Sequence, residues 1–215
     1  MSNISRDLSL KLLENRVDFK LYAAEQHSNE LKNIKLKHGT MMGSPEIRLK
    51  TEMEIDCFLA SLMGALDSLF VQINHDLGLS IPIKDVTLES INVSLNVRNK
   101  GYLLNHLKTL KSNTKSWLWL LNEFRNQFLH RDRVPRLVRV SIFENIDNNI
   151  SATDQTITFV PNIRTKDNPF LQKDIIVFFC EDLDRMRKLI DKIRKNIICI
   201  MKYKILVAAL IFGLG

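Results

Sequence analysis

Arg125, Asn126 and His130 combine the residue types that phosphate chemistry without a metal ion requires. Arginine stays charged and presents a planar set of donors to phosphate oxygens. Histidine, with an unperturbed pKa of ~6.5, can donate or accept a proton near neutrality. Asn126 can orient either the histidine or a bound phosphate. This set suits the cleavage of RNA, in which the ribose 2′-hydroxyl attacks the adjacent phosphate.

A basic segment follows the motif directly. Only Asp132 interrupts the positive charge of Arg131, Arg133, Arg136 and Arg139. The whole chain has 31 Lys and Arg against 24 Asp and Glu, a net charge of +7 and a pI near 9.4. Since positive charge concentrated beside reactive groups favours an anionic ligand over mere solubility, we expect these four arginines to bind RNA.

A helix must position the motif. We expect Asn113 or Thr114 to cap it and Pro135 to prevent its continuation beyond His130. Successive side chains are about 100° apart on a helix. The apolar face then comprises Trp117, Leu121, Phe124 and Phe128. Asn122, Asn126 and His130 recur every four residues on the other side, with Arg125 beside them, so the motif is predicted to be exposed.

Trp119 falls within the polar arc of this helix, where a large aromatic residue is unexpected. Together with Asn122 it is a candidate RNA-binding residue, because an exposed indole can stack on a base. The indole could equally pack against a second subunit, or another helix of the same chain could cover it. For the motif itself, the alternative is a helix-ending Arg and His that make ordinary caps and surface ion pairs.

The rest of the chain predicts a mainly α-helical bundle, since it holds 7 Gly and 5 Pro in 215 residues. Ser44 and Pro45 mark a helix start, and Gly78 is typical of a helix end. Periodicity predicts helices over 1–35, 45–77, 86–97 and 102–111 and from about Asp174 onward.

A small β-hairpin is predicted before the last long helix. Leu137–Phe143 and Thr156–Val160 have the composition of strands. The segment between them, Asn145 to Asp154, is rich in Asn and Asp, as turns are. The chain is then predicted to comprise an N-terminal helix over 1–40 that packs on the bundle, a helical domain over 44–204 and an apolar tail over 205–215.

The cysteines and the C-terminal tail indicate the cellular compartment and bear on metal binding and membrane contact. Cys57, Cys180 and Cys199 lie far apart in apolar contexts, which predicts reduced, buried thiols in a cytoplasmic protein. No Cys or His pair has metal-ligand spacing, so neither a metal nor another cofactor is expected. Ile205 to Gly215 is apolar but shorter than the roughly 20 residues that span a bilayer. We do not expect it to contact membrane, although a membrane-linked accessory protein is an alternative.

Asn122 to Arg131 resembles the signature of the HEPN superfamily (higher eukaryotes and prokaryotes nucleotide-binding). The shared pattern is Arg, a polar residue that is often Asn, a short spacer and His, matched here by Arg125, Asn126 and His130. The resemblance is sharp over about ten residues and loose over 45–200. It implies a HEPN-like helical bundle and a metal-independent endoribonuclease. It also implies a homodimer in which two motif helices form one composite site.

The resemblance also implies a role in phage defence or in a toxin–antitoxin system, with an antitoxin protein as a further partner. Some toxin members have a Tyr two residues after the His, and Asp132 occupies that position here. Control by modification of that tyrosine is therefore not implied. The alternative function is a non-catalytic HEPN-like module that binds RNA, nucleotides or protein.

Overall fold

The computed structural model describes residues 6–38, 44–130, 136–144, 150–161 and 163–212, with backbone only for 6, 8, 128–130, 136–144, 150–155 and 203–212. The described chain is mainly helical, which confirms the predicted class. Its helices are α1 (Arg6–Glu14), α2 (Arg16–His38), α3 (Pro45–Asp76), α4 (Leu88–Val97), α5 (Asn105–Ser112), α6 (Trp117–His130) and α7 (Ile175–Phe212). Its strands are β1 (Arg136–Glu144) and β2 (Ile150–Phe159), and short 3₁₀ turns cover Ile83–Asp85, Gly101–Leu104 and Pro169–Gln172.

The predicted single helix over residues 1–35 is wrong, because the chain breaks between α1 and α2. Asn15 Oδ1 accepts hydrogen bonds from the backbone N–H groups of Val17 (3.1 Å) and Asp18 (3.3 Å). An asparagine side chain that satisfies free N–H groups starts a new helix. The predicted helix over 102–111 is likewise divided, into the turn Gly101–Leu104 and α5.

Helix α3 forms the centre of the bundle and matches its predicted bounds closely. Pro45 occupies its first turn, and Gly78 follows its end with a φ of +58°, a conformation that glycine adopts without strain. Its broad apolar face is buried against α2, α6 and α7. Phe58 stacks on Phe179 of α7 with ring centroids 4.1 Å apart.

The hairpin is fastened to this core through the end of β2. The two strands pair antiparallel from Arg136–Phe159 to Glu144–Ile150. The predicted second strand, Thr156–Val160, is too short, because β2 begins at Ile150, inside the segment from Asn145 to Asp154 that the composition predicts as a turn. Phe159 is buried and its ring centroid lies 4.0 Å from that of Phe124 in α6. The base of the hairpin therefore packs directly on the helix that carries the motif.

Asp174 joins the hairpin, the last helix and α2. Its Oδ1 accepts the backbone N–H of Ile176 (3.0 Å), and so caps α7. Its Oδ2 accepts the backbone N–H of Ile157 in β2 (3.0 Å) and pairs with Lys35 Nζ at 3.1 Å. The start that the sequence predicts for the last helix is thus confirmed, with Asp174 as its cap.

The predicted burial of the cysteines is wrong for two of them. Cys57 and Cys199 are exposed and Cys180 is partly buried, all three as free thiols. Helix α7 is 38 residues long and continues through most of the predicted tail, to Phe212. Within the described part of the chain, no helix is both long and apolar enough to cross a bilayer.

Candidate functional site

The motif helix begins at Trp117, three or four residues later than the predicted caps. Ser116 is its cap: the Ser116 Oγ accepts the backbone N–H of Trp119 at 3.0 Å and donates to the Leu110 carbonyl. The Asn168 side chain, which is buried, donates to the carbonyls of Thr114 (2.8 Å) and Ser116 (3.1 Å). The segment after the hairpin therefore fixes where α6 starts.

Arg125 is held by a carboxylate that sequence reasoning missed. Its Nη2 lies 2.9 Å from Asp67 Oδ2 on α3, and the Arg125 side chain is 28% exposed. Asp67 is the only acidic residue in the apolar stretch from Cys57 to Phe70 of α3, which was the available signal. The contact with Asp67 uses one guanidinium nitrogen, and an arginine side chain carries five N–H donors.

Asn126 is exposed and Asn122 is partly exposed on the same helix, in agreement with the predicted outward ladder. The backbone of His130 forms the last position of α6, and its side chain lies outside the described residues. His130 is five positions after Arg125. On a helix these positions are about 140° apart around the axis and about 7.5 Å apart along it.

Trp119 packs partly against the core of its own chain. This contact favours the alternative in which the same chain covers the indole. Because Trp119 is still partly exposed, its stacking on a base stays a prediction. The hydrogen bond from the backbone N–H of Trp119 to Ser116 Oγ fixes the backbone at this position.

The structure describes only two of the four arginines that follow the motif, Arg136 and Arg139, and these by their backbone. Arg131 and Arg133 lie outside the described residues. Arg136 and Arg139 belong to β1, where they pair with Phe159 and Thr156 of β2. Their roles in RNA binding stay predictions, and the hairpin is the element that positions the last two.

Glu123, the one acidic residue of α6, makes a contact that the sequence does not indicate. Its Oε1 lies 3.0 Å from Arg164 Nη2, in the segment that follows the hairpin. The Glu123 side chain is only 14% exposed. This ion pair ties the middle of α6 to the segment between β2 and α7, close to the contacts of Asn168.

Asp182 of α7 is a fully buried carboxylate outside the motif. Its Oδ1 accepts a hydrogen bond from Arg185 Nη1 at 2.6 Å, while Oδ2 has no partner among the described residues. Burial raises the pKa of Asp182 to about 7, and Arg185 counteracts part of this increase. Burial also raises the pKa of Asp56 in α3, to about 6.

In the described residues, His, Cys, Asp and Glu side chains do not gather into a group of three that could hold a metal ion. Compared with known proteins, the chain matches no protein-family model, no curated protein and no solved structure.

Proposed function

We propose that the protein is a metal-independent endoribonuclease of the HEPN type that acts as a homodimer. The observation that carries the proposal is the placement of Arg125, Asn126 and His130 at the C-terminal half of one partly exposed helix. Arg125 and Asn126 are reachable from solvent, and His130 ends the helix. The unperturbed pKa of a histidine is ~6.5, so both of its proton states are accessible near neutral pH.

In the proposed reaction the ribose 2′-hydroxyl attacks the adjacent phosphorus. One His130 removes the proton of that hydroxyl or supplies a proton to the departing 5′-oxygen. The Arg125 guanidinium stabilises the charge that develops on the phosphate oxygens. Asn126 positions the imidazole or the phosphate. The P–O5′ bond breaks, and the products are a 2′,3′-cyclic phosphate and a 5′-hydroxyl.

A second copy of the chain supplies what one motif helix lacks. Arg125 and His130 occupy positions about 140° apart around the axis of their helix, so a site made from one chain would have to bring together groups from different sides of α6. Two helices related by a two-fold axis present the arginine of one beside the histidine of the other. The divergence of the two positions supports the dimer.

The test is cleavage of a fluorescent single-stranded RNA of mixed sequence in EDTA. We expect His130→Ala to lower the rate at least about 100-fold, the usual range for loss of a general acid or base. Arg125→Ala should lower it by a similar factor, and Arg125→Lys less, because a lysine keeps the charge without the fork. Products should carry a cyclic phosphate, and an all-2′-deoxy strand should stay intact.

The matched control is His106→Ala, which removes an exposed histidine of α5 and should leave the rate unchanged. Undiminished cleavage by His130→Ala refutes the assignment.

A second candidate is a non-catalytic RNA- or protein-binding module. The ion pair of Arg125 with Asp67 favours this candidate, because an arginine in an ordinary surface ion pair needs no catalytic role. Binding of RNA without cleavage of any strand tested would select it.

A further inference from the structure

Helix α7 carries a basic stripe far along the chain from the motif. Lys188, Lys192 and Lys195 are all exposed, and none has an ion-pair partner among the described residues. They line one shallow depression of about 320 Å³, with Asp191 as the accompanying carboxylate. Steps of four and three residues place them on one side of the helix, about 6 Å and 4.5 Å apart along its axis.

The stripe leads into a groove between α7 and the turn after α4. Asn196 lines both the depression and this groove, so the two adjoin at this residue. The groove has a volume of about 440 Å³, and Tyr102 at its edge is 63% exposed. The lining residues from the turn are Asn99, Lys100, Tyr102 and Leu103, and those from α7 are Asn196, Cys199 and Ile200.

The turn that forms one wall of the groove is fixed from two sides. Arg98 donates from Nη1 to the Leu77 carbonyl (2.8 Å) and from Nη2 to the Gly78 carbonyl (2.9 Å). The Asn96 side chain lies so close to Gly101 that a Cβ there would be 1.6 Å from its Oδ1. Asn99 has a φ of +57°. These contacts fix the backbone from which the side chains of Asn99 and Tyr102 extend.

This surface differs from the face that presents Arg125. Arg194 of α7 contacts Gln72 of α3 at 3.4 Å, whereas Arg125 contacts Asp67. Gln72 is five positions after Asp67, so the two side chains leave α3 about 140° apart around its axis. The lysines in turn lie at least about 100° around α7 from Arg194.

We propose that the stripe of Lys188, Lys192 and Lys195, with the groove at Tyr102, binds a single strand of RNA outside the cleavage site. The lysines neutralise consecutive phosphates, and Tyr102 stacks a base that the amides of Asn99 and Asn196 contact by hydrogen bonds. Unpaired positive charge combined with an exposed aromatic ring fits a single strand better than it fits a protein surface. The inference rests on the proposed function for its ligand class.

The experiment measures anisotropy of a fluorescein-labelled 12-nucleotide RNA on full-length His130→Ala protein over a range of NaCl concentrations. The variant Lys188→Gln/Lys192→Gln/Lys195→Gln should weaken binding about tenfold or more at 100 mM NaCl. It should also reduce the slope of log affinity against log salt by about 2, since each phosphate contact contributes about 0.7. Tyr102→Ala should weaken binding about tenfold, and Tyr102→Phe should restore it.

The matched control replaces three other exposed lysines, Lys11→Gln/Lys32→Gln/Lys37→Gln, and should change affinity less than twofold. Equal loss in the stripe and control variants overturns the proposal, as does wild-type affinity in the stripe variant. A parallel arm uses vesicles of phosphatidylcholine and phosphatidylserine: lysine-dependent vesicle binding without lysine-dependent RNA binding also overturns it. Because binding is measured without His130, failure of cleavage and failure of this surface are separate results.

Discussion

The ion pair between Arg125 and Asp67 determines how the motif is presented. Its members are 28% and 54% exposed, so by analogy with measured surface pairs it contributes between about 0 and 1 kcal/mol to stability. Its main effect is therefore on geometry. Asp67 occupies Nη2 of the guanidinium and limits the directions in which the remaining donors can meet a phosphate.

We expect Asp67→Ala to lower single-turnover cleavage about tenfold while the unfolding midpoint changes little. Asp67→Asn keeps an oxygen that accepts the Arg125 hydrogen bond and should retain activity within about threefold of wild type. Asp85→Ala, at an exposed acid in the turn Ile83–Asp85, is the control. If Asp67→Ala cleaves as fast as wild type, Asp67 does not position Arg125.

At the scale of one element, α7 combines a capped start with a buried charge. Asp174 caps it, and two turns later Asp182 is fully buried with one oxygen unpaired. Removing a carboxylate from water disfavours its charged form, which is why its pKa increases to about 7. Glu181 beside it is exposed enough to pair with Lys173 and Arg185, and those contacts lower its pKa.

The raised pKa of Asp182 makes stability depend on pH. Between pH ~4 and ~7 the folded protein keeps a proton that the unfolded chain has released, so the contribution of Asp182 to the unfolding free energy falls as pH rises. The shift from 3.8 to about 7 corresponds to at most about 4 kcal/mol. Asp56, with its pKa near 6, acts in the same direction.

Urea unfolding of wild type and Asp182→Asn at pH 5 and pH 8 isolates this contribution. The variant should gain stability relative to wild type by about 1 kcal/mol or more on going to pH 8, because an amide carries no charge to desolvate. Asp184→Asn, whose side chain is 69% exposed, should track wild type at both values. An Asp182→Asn difference that is constant with pH would show that Asp182 does not titrate in this range.

At the scale of the whole molecule, we propose that the cleavage site is divided between two chains. Because Arg125 and His130 occupy positions about 140° apart around α6, we expect each cleavage centre to take its arginine from one chain and its histidine from the other. The hairpin packs on α6 through Phe159 and Phe124, so it accompanies the motif helix into any dimer.

Mixing two inactive variants tests this arrangement. Arg125→Ala and His130→Ala, unfolded and refolded together, should regain about a quarter of wild-type activity, since half of the dimers are mixed and each mixed dimer has one intact centre of two. Each variant refolded alone should stay inactive. No recovery, with mixed dimers demonstrated by differently tagged chains, would place both groups of a centre in the same chain.

The sequence by itself determined the helical class, the span of α3, the hairpin before the last helix and the start of that helix at Asp174. These follow from local rules: apolar periodicity, turn residues and caps depend on neighbours along the chain. The same rules placed Asn122 and Asn126 on an exposed side of α6. They also indicated the spacing of the reactive groups, which needs only the geometry of one helix.

Only the tertiary structure decided the contacts between distant segments. Asp67 reaches Arg125 across 58 positions of the chain, and Asn168 reaches Ser116 across 52. The break at Asn15 and the true cap at Ser116 were missed, because competing polar residues nearby make equally good local caps. The groove at Tyr102 lies between the turn after α4 and α7. In the sequence, the lysines of the neighbouring stripe resemble an ordinary solvent-exposed helix face. Such sites depend on which helix faces pack together, and burial across the whole bundle determines that packing.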